Sequence, residues 1–289
     1  MITAASANHH ANHHANRPAN RPANQQPKEP TAVLLLSHGS RDPRARYVVD
    51  ELVRTVAVGT GVTVRAAHLG FTPPTPSAAL RELAADGFAS VRVVPLLFAP
   101  GYHLTHDVPR AVEASGVDER MDVSVAPALL AGGPGQRQLM LRALAERLLQ
   151  AGADGSTDGL VLASAGSSSR IARQHIARLA RALERSHGIP VETAFASAGS
   201  TPSLTQALEA FSDRGVASPA VASLFVAPGR LTDVVGASCP DLPVADPLGS
   251  SPAFVELLLT RARVPVTGDL GIANTTVATP LTRLLSGTG

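Results

Sequence analysis

The chain has 289 residues, 44% of them hydrophobic and 17% charged, which is enough for two domains of ordinary size. The 25 basic and 23 acidic residues leave a formal net charge of +2, and aromatic residues make up only 3% with no Trp, so a protein that stacks nucleic acid on aromatic side chains is not expected. The one cysteine, Cys239, excludes an intramolecular disulfide and a cysteine-cluster metal site. The sequence has neither a long apolar run nor the apolar stretch of a signal peptide, which predicts a cytoplasmic protein without a membrane partner.

Residues 1–30 form a low-complexity tail. From Ala7 the chain reads Ala-Asn-x-x five times, with no apolar periodicity. Such a segment cannot bury enough apolar surface to offset the entropy of ordering, so we expect a disordered Asn/His-rich tail. Its four histidines predict only incidental affinity for metal ions.

Residues 31–152 alternate short apolar strands with helical segments. The predicted strands are 32–37, 62–69, 90–98 and 121–126. The predicted helices are 44–58, 77–86, 108–115 and 136–151. This alternation is typical of parallel βαβ units.

The same alternation restarts after a small polar linker and fills residues 158–263. The predicted strands are 160–164, 191–197 and 217–226, and the predicted helices are 171–186, 203–212 and 253–263. Residues 264–289 are expected to be a poorly ordered tail with a weak helix at 281–285.

Three short segments of the first half recur in the second half at nearly constant spacing. VLLLSHGS matches LVLASAGS, TPS recurs as TPS, and LLFAPG matches LFVAPG; the paired ranges are 33–40 with 160–167, 75–77 with 201–203, and 96–101 with 224–229. The chain is therefore an internal duplication, and we expect an α/β protein made of two similar lobes that face each other, each with a parallel sheet flanked by helices.

Two histidines follow apolar strands of the first half. His38 comes directly after the first strand, and His103 lies in the loop after the third. Ligands of open parallel sheets bind at the carboxyl ends of the strands, so the two side chains are expected to converge. Neutral imidazole can bind a metal ion or accept a proton.

The duplication provides an internal control for this pair. His38 aligns with Ala165 and His103 with Leu231, while the glycines and prolines of the same loops recur in both halves. Histidines that occur in only one of two otherwise similar loops predict a function rather than a scaffold role.

Other polar residues are weaker candidates. His106, three residues after His103, is a candidate additional metal ligand, and His68 is a candidate to border the cleft. His175 and His187 are expected to be solvated, and Asp107 and Asp233 are expected to cap a helix or shape a loop. Five arginines near the cleft would suit a substrate with several carboxylates; they are Arg41, Arg44, Arg46, Arg110 and Arg230. Nucleotide binding is not supported, because no Walker or G-x-G-x-x-G motif follows a strand.

The segments LLLSHGSRDPRAR at 34–46 and VVPLLFAPGYHLTHDVP at 93–109 resemble the sirohydrochlorin chelatase family, the CbiX/SirB type of class II chelatase. The resemblance implies two flavodoxin-like lobes around a tetrapyrrole cleft. It also implies a lyase that inserts Fe²⁺ or Co²⁺ into sirohydrochlorin, for siroheme or cobalamin synthesis, without ATP.

The resemblance also assigns roles to residues. It places the family's two active-site histidines at His38 and His103, as catalytic residues and metal ligands, with His106 as the further candidate ligand. The residues predicted to bind the macrocycle are Ser40, Arg41, Gly101 and Tyr102. We expect no tightly bound cofactor, the metal being a substrate, and a monomer, because the duplicated chain supplies its own second lobe.

One position departs from the family pattern. The family has a carboxylate near the end of the second strand, where this chain reads His68-Leu69-Gly70-Phe71 with Gly70 at about that place. His68 or His106 is the candidate replacement. The departure leaves open an alternative function, a metal or tetrapyrrole carrier with the chelatase fold and little turnover; a regulatory role and ferrochelatase-like insertion into a porphyrin are further alternatives.

Overall fold

The computed structural model describes residues 32–117 and 120–262. The two predicted tails, with the weak helix at 281–285, lie outside the described residues. Seven strands are present in this part of the chain: β1 (Ala32–Ser37), β2 (Thr63–His68), β3 (Ser90–Pro95), β4 (Asp122–Val125), β5 (Gly159–Ser164), β6 (Val191–Phe195) and β7 (Pro219–Ser223). The α-helices are α1 (Pro43–Thr60), α2 (Pro76–Ala85), α3 (Val108–Glu113), α4 (Pro134–Gln150), α5 (Arg170–His187), α6 (Leu204–Ser212), α7 (Arg230–Ser238) and α8 (Pro252–Ala262). A π-helical turn (His103–Asp107) precedes α3.

The strands form two parallel sheets, as the duplication predicts. The first has the order β2-β1-β3-β4 and the second the order β6-β5-β7. An isolated parallel bridge pairs Val221 of β7 with Val244, which adds one residue pair at the outer edge of the second sheet. The order 2-1-3-4 is that of flavodoxin-like sheets, so the predicted fold class is confirmed.

The first helix of each lobe shows the duplication in its end residues. Helix α1 begins at the N-cap Asp42 and ends at Gly61, which has a left-handed φ of 69°. Helix α5 begins at the N-cap Ser169 and ends at Gly188, with φ of 72°. Since glycine adopts this conformation without strain, both helices end at the same structural position.

Helices α4 and α8 each pack against elements of both lobes. Helix α8, from the second half, packs against α4, α1 and β3, whereas α4, from the first half, also packs against β7. The buried Arg261 of α8 donates from Nη2 to the Leu129 carbonyl at 3.0 Å, and Arg92 of β3 donates from Nε to the Arg261 carbonyl at 3.2 Å. The division into two domains at 31–152 and 158–263 stays a prediction. The largest hydrophobic core contains residues from both sides of this division.

Several predicted elements differ from the structure at their ends. Strand β3 stops at Pro95 and not at residue 98, and β7 spans five residues of the predicted 217–226. The apolar run continues past each strand because Leu96, Leu224 and Phe225 remain buried in the loops beneath the cleft. An apolar pattern alone therefore cannot place the strand end.

One helix was missed and one expectation was wrong. Helix α7 had no predicted counterpart, because its sequence contains Gly236 and β-branched residues that do not favour a helix. His187 was expected to be solvated but is buried, and burial lowers its pKa to about 4. It lies four residues after the buried Leu183, on the apolar face of α5, and this spacing was a usable signal.

We predict that Leu258→Ala in α8 lowers the free energy of unfolding by about 2–5 kcal/mol, because the side chain is 1% exposed and its removal leaves a cavity. Urea denaturation followed by circular dichroism measures the effect. Thr260→Ala, at an exposed position of the same helix, is the control and should change the value by less than about 0.5 kcal/mol. Since α8 packs on both halves, the transition should move as a whole; two transitions of which only one moves would contradict the shared core.

Candidate active site in the cleft between the lobes

A cleft of about 1130 Å³ opens where β1, β3, β5 and β7 end. One wall comes from loops of the first lobe, within residues 37–46 and 96–104, and the other from residues 164–169 and 224–233 of the second. Its walls are thus the two copies of the duplicated loops, at the edge where parallel sheets bind ligands.

The structure brings His38 and His103 together on the first wall. Their ring centroids are 4.8 Å apart, with the planes tilted by 52°. Ala165 and Leu231 line the opposite wall at the matching positions. The cleft therefore has imidazoles on one side only.

Asp107 orients His103. The π-helical turn places the two residues on one face, and Nδ1 of His103 lies 2.5 Å from Oδ2 of Asp107. A carboxylate only accepts hydrogen bonds, so Nδ1 donates to Asp107, and in the neutral ring Nε2 is the nitrogen with the free lone pair. A helix cap was one expected role for Asp107, but its side chain forms no cap hydrogen bond to α3. The i,i+4 spacing from His103 was the signal that sequence reasoning missed.

His38 is held in its neutral form. Partial burial lowers its pKa below the usual value, the nearby His103 lowers it further, and Asp107 opposes the shift. Burial disfavours the charged imidazolium, so His38 is neutral at pH 7 and can act as a metal ligand or a base.

A buried hydrogen-bonded chain supports the loop that carries His38. His68 is 5% exposed, and its Nδ1 lies 2.7 Å from the Ser37 hydroxyl oxygen, which also accepts the Gly39 N–H at 3.2 Å. In the second lobe Phe195 stands where His68 does, and the buried Ser164 hydroxyl has no hydrogen-bond partner within the described residues. The hydrogen-bonded version of this motif is found only beside the histidine pair.

Gly39 is required by close packing of two loops. Its φ is +88°, and a Cβ there would collide with the Gly70 carbonyl oxygen. Gly70 donates its N–H to the His38 carbonyl at 3.0 Å. At the position where the resemblance implies a carboxylate, this chain thus fastens the second loop to the first through backbone atoms.

Two exposed aromatic residues line the cleft beside the histidines. Phe71 is 61% exposed, adopts a left-handed φ of 67°, and meets His38 edge-on at a centroid distance of 5.8 Å. Tyr102 is 60% exposed. Phe71 was not a predicted site residue. Its exposure and its place beside His38 depend on the folded loop and could not be predicted from the sequence.

The structure does not bring His106 to the pair. Its ring stacks on Tyr102 at 4.5 Å, its Nδ1 contacts the Thr105 hydroxyl at 2.8 Å, and it is not among the residues that line the cleft. On the π-helical turn, the residue three positions after His103 points elsewhere. In residues 32–117 and 120–262, no three His, Cys, Asp or Glu side chains gather closely enough to hold one ion.

The predicted macrocycle-binding residues all line the cleft; they are Ser40, Arg41, Gly101 and Tyr102. Arg41 lies over the Phe71 ring at 5.5 Å. Arg230 lines the second wall, whereas Arg110 is outside the lining.

Arg44 joins the two lobes at the cleft. It pairs with Asp42 of its own lobe at 2.6 Å and with Asp233 of the other lobe at 2.7 Å. A cap or loop role was expected for Asp233, and the structure instead pairs its carboxylate with Arg44 across the lobes. Arg44 is thus already engaged by two carboxylates.

The CbiX family model matches the chain in two segments, residues 32–151 and 159–264. The chain belongs to the CbiX family. The matched segments coincide with the two duplicated halves, and the resemblance read from the two histidine loops is confirmed.

Curated relatives of this CbiX-family chain are sirohydrochlorin cobaltochelatases. That of Methanopyrus kandleri is 35% identical over 80 residues, which are 27% of this chain and 56% of the relative. That of Saccharolobus islandicus is 36% identical over 89 residues, 31% of this chain and 69% of the relative. The chain spans 66% of a third, from Methanococcoides burtonii, at 31% identity.

Solved structures show the same two-lobed fold. SirB from Bacillus subtilis with Fe³⁺ has a TM-score of 0.67 at 20% identity, over 83% of this chain and 97% of that one. CbiX, described as the terminal enzyme for siroheme biosynthesis in denitrifying bacteria, has a TM-score of 0.59 at 20% identity, over 82% and 100%. No helix in the described part of the chain is long and apolar enough to cross a membrane.

We predict that Ser37→Ala lowers the free energy of unfolding by about 1–3 kcal/mol, because it leaves the buried His68 Nδ1 and the Gly39 N–H without their partner. Ser164→Ala is the matched control in the second lobe. Its hydroxyl has no partner to lose within the described residues, so the change should be neutral or stabilising. Urea denaturation of both variants checks this, and equal losses would show that the Ser37–His68 contact contributes nothing specific.

Proposed function

We propose that this protein is a sirohydrochlorin chelatase, which inserts Fe²⁺ or Co²⁺ into the macrocycle in the cleft. The observation that carries the proposal is the His38–His103 pair, 4.8 Å apart on one wall of a cleft between duplicated lobes. Membership of the CbiX family supports it, as do relatives named for this reaction.

The donor set suits an ion in transit. Neutral imidazole binds iron and cobalt well, and two nitrogens leave other coordination positions of the ion open. No third side chain of the ligand type joins them within the described residues. We infer that the ion is captured by the imidazoles and passed on to the four pyrrole nitrogens, which are the better ligand set.

Insertion also releases two protons from pyrrole N–H groups. A neutral imidazole within reach can accept one as a general base. His38 is neutral because of its burial, and Nε2 of His103 has a lone pair because Asp107 accepts from Nδ1. Either histidine in its neutral form can therefore accept the proton.

The cleft can hold a flat, polycarboxylate ligand. Phe71 and Tyr102 offer exposed apolar rings next to the histidines. Arg41 and Arg230 line the two walls and supply guanidinium groups for peripheral carboxylates. Arg44 is a weaker candidate since Asp42 and Asp233 already hold it. A monomeric state and a cytoplasmic location stay predictions.

The alternative is a carrier of the metal or the tetrapyrrole with little turnover. The observation that favours it is Gly70, which provides no carboxylate where the family has one. Neither proposed replacement is a carboxylate: His68 lines the cleft but its Nδ1 is engaged by Ser37, and His106 is outside the lining. Turnover, not binding, separates the two functions.

An anaerobic absorbance assay with sirohydrochlorin and Co²⁺ or Fe²⁺ tests the proposal. We expect rapid metallation by the wild type and a loss of about 10²–10⁴-fold in His38→Ala and in His103→Ala, since each removes a ligand and a base. His106→Ala is the matched control and should stay close to wild type, because its ring is outside the cleft lining.

If absorbance shows that the wild type binds sirohydrochlorin but does not accelerate metallation, the chelatase proposal is wrong and the carrier function is favoured. Gly70→Glu is then the informative variant. A Cβ at Gly70 has no neighbour closer than the His38 carbonyl oxygen at 3.9 Å, so the backbone tolerates the change. Metallation gained by this variant would identify the absent carboxylate as the cause.

We further predict that Asp107→Asn weakens Co²⁺ binding by about 10–100-fold, because the amide no longer fixes the protonated Nδ1 of His103 with a negative charge. A titration followed by Co²⁺ absorbance measures the dissociation constant. Glu113→Gln, which removes one exposed carboxylate from α3, is the charge-matched control. Equal weakening in both variants would indicate a general electrostatic effect instead of orientation of His103.

A further inference from the structure

A second cavity, of about 500 Å³, lies between α4 and α5. The face of α5 that carries Ala172 and Ile176 lines the cleft, and another face of the same helix lines this second cavity. The second cavity is therefore separate from the His38–His103 pair. Both halves of the chain build it. The lining residues are Leu129, Leu130, Ala131, Gly132, Arg137 and Met140 from the first half and His175, Arg178, Leu179, Arg181 and Arg185 from the second.

The cavity, which we call the arginine cavity, concentrates positive charge. Four of its eleven lining residues are arginines, and none is acidic. Within residues 32–117 and 120–262, none of the four forms an ion pair, whereas Arg142 pairs with Glu256 and Arg214 with Glu192. The cavity therefore presents four guanidinium groups with no carboxylate among its lining residues.

The arginines are spaced closely enough for their positive charges to repel one another. Arg178, Arg181 and Arg185 stand at i, i+3 and i+7 on one face of α5, and Arg137 faces them from α4. Like charges three and four residues apart destabilise a helix. A bound anion with several charges would relieve this repulsion, and guanidinium groups bind carboxylates and phosphates bidentately.

The floor of the arginine cavity is apolar. Leu129, Met140 and Leu179 are almost fully buried there. His175 lies beside them, with Nδ1 3.3 Å from the Leu130 carbonyl; since a carbonyl only accepts, this nitrogen carries the proton. An apolar floor beneath a cationic rim fits a ligand with a compact apolar body and charged groups at its edge.

We propose that the arginine cavity binds a small organic polyanion, a molecule with a compact apolar body and at least two carboxylate or phosphate groups. A ligand there would contact α4 of the first half and α5 of the second, and so bridge the lobes. The proposal does not depend on chelatase activity, because none of its residues belongs to the histidine wall.

Isothermal titration calorimetry of the full chain at about 0.15 M salt, where distant surface charges are largely screened, is the test. The probes are benzene-1,3,5-tricarboxylate, citrate and inorganic pyrophosphate. We expect binding at a site that the cavity variants weaken, with the benzene compound bound more tightly there than citrate, since both carry three carboxylates and only the first has an apolar ring for the floor. Pyrophosphate against citrate distinguishes a phosphate ligand from a carboxylate ligand.

Variants locate the site. Arg181→Ala with Arg185→Ala should raise the dissociation constant about tenfold or more, because two charge-assisted contacts are lost. Arg54→Ala with Arg170→Ala removes the same charge from exposed positions outside the cavity and should leave the constant unchanged. Arg181→Lys with Arg185→Lys keeps the charge but loses the bidentate geometry and should give an intermediate value.

Two results would overturn the proposal. One is equal loss of binding in the cavity variant and the charge-matched control, which would show general attraction to a basic surface. The other is the absence of saturable binding of any probe to a wild-type chain whose thermal unfolding shows that it is folded. All the substituted arginines are exposed, so the variants are expected to fold.

Discussion

The exchange of α4 and α8 between the sheets is the constraint on which the cleft depends. Each helix comes from one half of the chain and packs against a strand of the other half's sheet, so the two lobes share one core. Arg261 reinforces the junction by binding the Leu129 carbonyl. On the proposed function, a metal site on one wall would require the opposite wall to hold the macrocycle at a fixed distance. The interior of a protein resists compression because it is closely packed, and this shared core therefore sets the width of the cleft.

Duplication supplied the second wall, and divergence gave the walls different tasks. Both retain the strand-end serine, the glycine of positive φ and the N-cap that starts the first helix, as Ser37, Gly39 and Asp42 match Ser164, Gly166 and Ser169. Only one retains a hydrogen-bonding partner for the serine and the pair of imidazoles. Phe195 stands where His68 does in the first lobe, and the buried Ser164 hydroxyl has no hydrogen-bond partner within the described residues. Apolar and small side chains on the second wall suit a surface that holds a ligand without binding its metal.

The sequence alone predicted the features that follow from the hydrophobic pattern and from the internal duplication. The alternation of apolar strands and helices gave the two parallel sheets, and the repeated loops located His38 and His103 at one edge. The contribution of Asp107 was missed because it depends on a π-helical turn, which no apolar pattern marks. The same turn directs His106 onto Tyr102, so a spacing of three residues did not mean a shared ligand. Phe71 was missed because its place beside His38 arises from a left-handed backbone and from the contact between two loops that Gly39 and Gly70 permit.

A weakly completed donor set is consistent with metal transfer, since the ion must leave as readily as it arrives. Two imidazoles, one kept neutral by burial and the other oriented by a carboxylate, would bind an ion through nitrogen without enclosing it. A fuller set of ligands would raise affinity and slow release to the macrocycle, because the reaction gains only from interactions that are stronger in the transition state than before it. On the proposed function, Asp107 would place negative charge one step away from a bound ion, through the ring of His103.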